Sequence, residues 1–130
     1  MLDALALLRS YADLHDRGVE TSDFGPMLAL FDADAEMRFV GIPFPPCVGL
    51  PAIVDAFRRS PPNDRLVLLD AVASPDGSAE AVYAWRAAPS VAAGTIRIEA
   101  RGGKIRRLQI SAREPGGREE GGRAAAPTGP

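Results

Sequence analysis

The sequence predicts an α+β domain, with helices concentrated in the first half and a curved antiparallel sheet in the second. Three observations predict it. Apolar residues recur largely at helical spacing up to Arg59, they alternate at strand spacing after Asp64, and tight turns join the strand-like runs. Such turns imply an antiparallel meander, because parallel pairs need long crossovers. Helices followed by strands then pack as one sheet against helices.

The first helix carries Leu5, Leu7, Leu8, Tyr11, Leu14 and His15 on one face, with Arg9, Asp13, Asp16 and Arg17 on the other. Gly18 fits its C-terminal stop. Thr21, Ser22 and Asp23 are N-cap candidates for a short second helix bearing Phe24, Met27, Leu28, Leu30 and Phe31. Asp32-Ala33-Asp34 reads as an acidic stop, and Glu36–Val40 as a half-buried strand. A third helix, Pro51–Arg59, opens on proline and buries Ile53, Val54, Ala56 and Phe57. Four strands follow at Arg65–Ala73, Ala79–Ala88, Thr95–Arg101 and Lys104–Ser111, divided by Pro75-Asp76-Gly77, Pro89–Gly94 and Gly102-Gly103.

Residues 113–130, REPGGREEGGRAAAPTGP, hold no large apolar side chain, so they are expected to be a disordered tail outside a domain of residues 1–112. A net charge of −2 gives no global attraction for nucleic acid or anionic lipid. Cys47 is the only cysteine, which excludes an internal disulfide, and no Cys/His spacing suits zinc. No metal or other cofactor is expected. The N-terminus has neither the basic start of a signal peptide nor a uniform apolar run, so a cytoplasmic protein without a membrane segment is expected. Lys104 is the only lysine among many arginines, a usage that points to a GC-rich bacterial genome.

The segments LLRSYADLHDRG, LALFDADAEMRF and VGLPAIVDAFRRS, in that order and followed by a four-strand meander, resemble the SnoaL-like/NTF2-like superfamily, which includes ketosteroid isomerases. The resemblance covers residues 4–112 and implies a cone in which the sheet and first helix enclose an apolar pocket. It also implies a homodimer through the outer sheet face. Carried over to this chain, the isomerase's tyrosine falls on Tyr11, its general-base aspartate on Phe39 and its oxyanion-hole aspartate near Ile96. One of the three survives, so isomerisation by that mechanism is not expected.

Tyr11 and His15 stand four residues apart on one helix face, where a phenol beside an imidazole forms a donor or acid–base pair. They are the candidate catalytic residues; the alternative is that both pack at a rim with their polar tips satisfied. Tyr83 and Trp85 share one face of a strand and, with Met37, Phe39 and Ile96, form the candidate lining for an apolar small molecule. The competing reading is ordinary core. Asp32, Asp34 and Glu36 mimic half a calcium loop, but Met37 stands where the turn glycine belongs and Pro43 where the closing glutamate belongs. Arg97, Arg101, Lys104, Arg106 and Arg107 lack interleaved aromatics, so they read as a solvated face. Cys47, in a Pro-rich loop without a neighbouring base, reads as a small packed residue.

The expected function is therefore a homodimeric small-molecule pocket protein, with isomerase- or cyclase-like proton chemistry if it is an enzyme. The alternative is a non-catalytic interaction module with a filled pocket.

Overall fold

The computed structural model describes residues 2–112, so the expected tail at 113–130 lies outside the described residues. The elements are α1 (Ala4–Thr21), α2 (Gly25–Leu28), β1 (Phe31–Val40), β2 (Cys47–Val48), α3 (Leu50–Arg59), β3 (Leu66–Ala73), β4 (Ser78–Trp85), β5 (Ala92–Arg101) and β6 (Lys104–Ala112). The strands form one open sheet in the order β2-β1-β6-β5-β4-β3.

α1 begins where the Asp3 carboxylate accepts the Ala6 N–H at 2.9 Å and ends at Ser22, whose φ of 65° lies in the left-handed region. Gly18 does not stop this helix. It is buried within it, and a Cβ there would lie 2.3–2.9 Å from atoms of the Phe24 ring, so glycine answers a packing demand. α2 is a single turn, and Phe31 belongs to β1. The acidic triplet 32–34 is likewise strand, with Asp32 held by Arg101 at 2.9 Å. On the sheet's outer side the Arg101–Asp32 pair stabilises a strand that turn propensity alone disfavours.

The sheet is not wholly antiparallel. β1 pairs in parallel with β6, and every other neighbouring pair is antiparallel. β2, α3 and the strands β3 to β5 lie between β1 and β6 in the chain and supply the long connection that a parallel neighbour requires. Register shifts interrupt four of the five ladders, one beside Asp70 at φ 51°. Bulges of this kind increase local twist and bend a sheet.

α1 crosses β3, β4 and β5, while α3 lies over β1 and β2. Between them and the sheet sit Leu7, Leu8, Ile53, Ile98, Ile105 and Leu108, each fully buried and worth roughly 1.5–3 kcal/mol in transfer from water. The opposite face carries an ion-pair ladder: Arg97 bonds Asp76 and Glu99, and Arg107 bonds Glu99 and Glu36. The predicted basic hairpin is therefore largely neutralised by its neighbours.

Candidate functional site

Three strands present their inward residues with the same gradient. Along β1 these run from Phe31 through Ala35 and Met37 to Phe39, along β4 from Ala79 through Ala81 and Tyr83 to Trp85, and along β6 from Ile105 through Leu108 to Ile110. The early members are buried, whereas Phe39, Trp85 and Ile110 are only half-buried. These pairings bring Phe39 beside Ile110, and Ile110 beside Ile96. One end of the helix–sheet layer is thus sealed, and the other is a rim of partly exposed apolar groups.

Tyr11 and His15 project from α1 into this layer, 1% and 3% exposed. Their ring centroids are 6.0 Å apart, and His15 lies 6.4 Å from Trp85. Trp85 meets Tyr83 edge-on at 5.7 Å. Tyr11, His15, Trp85 and Tyr83 therefore form one chain of rings spanning helix and sheet, and Phe31 extends it from Tyr11 at 6.2 Å. Met37 and Ile96 are buried on the inward face behind them. Phe39 stands apart from the chain and packs against Phe44, at 5.4 Å and nearly perpendicular.

Among the described residues, no protein atom hydrogen-bonds the hydroxyl of Tyr11 or Tyr83. Burial, reinforced by the nearby Tyr83, pushes the Tyr11 phenol well above its ordinary range. Burial also raises Tyr83. Both phenols stay protonated and can donate. Burial lowers His15, against opposing contributions from Asp16 and Asp64, so its neutral form is favoured.

Asp16, which spacing assigns to the polar face of α1, reaches the site. Its Oδ1 lies 3.3 Å from His15 Nδ1 and accepts the Leu66 N–H at 2.8 Å. The sequence signal was only its adjacency to the sole histidine. Phe24 was also missed as a site neighbour: it rests 6.2 Å from His15 and 5.7 Å from Phe57, bridging α1 and α3.

A groove of about 380 Å³ lies between α1 and β3, lined by Arg9, Ala12, Asp13, Asp16, Leu66 and Leu68. None of the seven site residues expected from sequence lines it. Cys47 is half-buried, and burial pushes its thiol up, which disfavours the nucleophilic thiolate.

No family model matches the sequence, and no curated protein matches it. Solved structures do. The chain is similar to a candidate ketosteroid isomerase from Kribbella flavida at a TM-score of 0.65 and 18% identity, over 86% of this chain and 78% of that one. It is similar to a Mycobacterium tuberculosis protein in complex with estradiol-17β-hemisuccinate at a TM-score of 0.65 and 15% identity, over 82% and 91%. An NTF2-like protein of unknown function from Cytophaga hutchinsonii matches at 0.62 and 10% identity, over 85% and 89%. These likenesses establish the NTF2-like cone fold, and at such identities they establish fold alone.

Proposed function

We propose that this chain binds a neutral, apolar small molecule between α1 and the sheet, entering at the Phe39–Ile110–Trp85 rim. The observation that carries the reading is the hydroxyl of Tyr11, a residue only 1% exposed, which has no protein hydrogen-bond partner among the described residues. A buried donor left unpaired costs about 1–3 kcal/mol, a cost that a ligand oxygen in its reach would remove. Tyr83 offers a second donor a short distance away. Trp85, half-buried at the rim, is the side chain that makes room by changing rotamer, with Met37, Phe39 and Ile96 as apolar walls. Buried polar side chains other than the tyrosines are limited to His15 and Ser78 among the described residues, which disfavours a charged ligand. The ligand-bound Mycobacterium tuberculosis neighbour supports the reading by analogy of fold.

The close packing of Tyr83, Trp85 and His15 favours a second reading, a filled cone acting as an interaction module. Its natural surface is the outer sheet face, where Val40, Val67, Leu69 and Val82 are partly exposed, and we propose that a homodimer forms there. No helix among the described residues is long and apolar enough to cross a membrane, and the single free thiol accords with a cytoplasmic protein. Equilibrium dialysis of 2-tetralone, a flat neutral ketone, separates the readings. The pocket reading expects saturable binding that weakens about tenfold in Tyr11→Phe, as for loss of one buried hydrogen bond. Absence of binding would leave the interaction module.

A further inference from the structure

We propose that the open edge of β3 is a peptide-docking site, where a short extended segment of a partner protein adds to the sheet as a seventh strand and lays one lysine or arginine side chain into the groove against α1. The proposal is independent of the ligand-binding reading and concerns a different part of the molecule.

β3 ends the sheet beyond β4, and no strand among the described residues covers its other side. The Arg86 N–H donates to the Arg65 carbonyl at 2.9 Å, so Arg65, and after it Val67 and Leu69, turn their backbone groups toward β4. Leu66 and Leu68 turn theirs outward. The Leu66 N–H is occupied, because it donates to Asp16 Oδ1 at 2.8 Å. The Leu66 carbonyl and both backbone groups of Leu68 have no hydrogen-bond partner among the described residues. Beyond them Asp70, at φ 51°, stands in the register shift between Leu69 and Val72, where regular pairing ends. The edge thus offers three backbone groups in the pattern an antiparallel strand requires. One incoming residue exchanges both bonds with Leu68, and the residue two further on donates to the Leu66 carbonyl.

Paired residues on neighbouring strands share a face, so the side chain opposite Leu68 lies on the inward face that Leu68 shares with Tyr83. Beside β3 that face opens into the groove, where Leu66, Leu68 and Ala12 are apolar and Asp13 and Asp16 stand on the α1 side. Among the described residues Asp13 forms no ion pair, and Asp16 forms none with an arginine or lysine. A long basic side chain complements both features, with its methylenes on the leucines and its charge at the carboxylates. α1 runs antiparallel to β3, since Asp16 meets Leu66 and Glu20 pairs with Arg65. Arg9 therefore stands toward the far end of the groove, about two turns and roughly 10 Å from Asp16 along the helix axis. It repels a second basic side chain there, so the site selects a segment with one lysine or arginine over a basic run.

The test adds the acetylated and amidated peptide Gly-Val-Lys-Val-Gly to the full chain labelled with nitrogen-15. The expected result is a saturable shift of the Leu68 amide signal, with hydrogen exchange at that amide about tenfold slower once the site is filled. Methylating the backbone nitrogen of the peptide's lysine removes the N–H that faces the Leu68 carbonyl and should weaken binding about tenfold. Replacing that lysine by norleucine keeps the stem and removes the charge; this change, or Asp13→Asn in the protein, should weaken binding about threefold. A Leu68 amide that does not respond, or a methylated peptide that binds as well as its parent, overturns the strand pairing. Equal binding of the norleucine peptide overturns the choice of a basic partner. A Leu68 amide already protected before any peptide is added also overturns the proposal. The edge is then filled by a second copy if the protection grows with protein concentration, and by residues 113–130 of the same chain if it does not.

Discussion

The Asp16 carboxylate accepts the backbone N–H of Leu66 at 2.8 Å, tying the last turns of α1 to an edge strand fifty residues further along the chain. Leu66 points this N–H away from β4, where edge groups have no ladder partner. Asp16→Ala removes that acceptor from a partly buried amide and should cost about 1–3 kcal/mol in urea unfolding, with the slope of the transition unchanged. A loss restricted to the surface-substitution range, within about 0.5 kcal/mol, would mean that the contact does not anchor the strand.

Gly18 and Phe24 make a second local prediction. Alanine inside an α-helix ordinarily gains about 1 kcal/mol over glycine. Here the added Cβ would displace a ring wedged between His15 and Phe57, so Gly18→Ala should instead destabilise by about 1–3 kcal/mol. The double variant Gly18→Ala with Phe24→Leu should recover part of that loss, measured as a coupling in a double-mutant cycle.

Acid sensitivity should begin with His15. Burial holds its folded value below the ordinary 6.5, so the unfolded chain takes up this proton first as pH falls. Its contribution to stability is complete above pH 6.5 and declines as pH drops through the lower folded value. Asp32, Glu36 and Asp76 are held below their ordinary 3.8, 4.5 and 3.8 by hydrogen bonds from Arg101, Arg38 and Ser78 respectively, so their contributions fade only in a more acidic window. Thermal unfolding between about pH 7 and pH 5 should therefore show a fall in Tm that His15→Leu removes. An identical pH slope in the variant would locate the titration elsewhere.

Tyr11→Phe should separate binding from stability. Deleting a hydroxyl that has no protein partner removes a desolvation cost, so the variant should be as stable as the parent or up to about 1 kcal/mol more stable. Ile105→Ala, at the sealed end opposite Phe31, should cost about 2–5 kcal/mol and leave ligand affinity nearly unchanged. A large loss of stability in Tyr11→Phe would show that the hydroxyl has a structural partner.

The sequence revealed the α+β layout because the change from helical to alternating periodicity is strong and each tight turn is marked by Gly or Pro. It also placed Tyr11, His15, Tyr83 and Trp85 on inward faces, and the structure brings those four rings into one chain. What it hid depends on contacts distant in sequence. The strand character of Asp32–Asp34 comes from pairing with β6 and from Arg101, neither visible in a local window. The two-residue β2 is formed by Cys47 and Val48 pairing with Met37 and Glu36. Gly18 read as a stop because its Phe24 neighbour belongs to the next element. Asp16 read as solvent-facing because periodicity gives a residue's side of the helix, not the amide waiting beside it.

Trp85 is the only tryptophan of the chain and stands at the rim between His15 and Tyr83. Its fluorescence during titration with 2-tetralone tests the central claim most directly. The account predicts a saturable change in Trp85 emission whose midpoint moves to higher concentration in Tyr11→Phe. Emission that stays constant, or drifts linearly without saturation in both proteins, would contradict a binding site between α1 and the sheet.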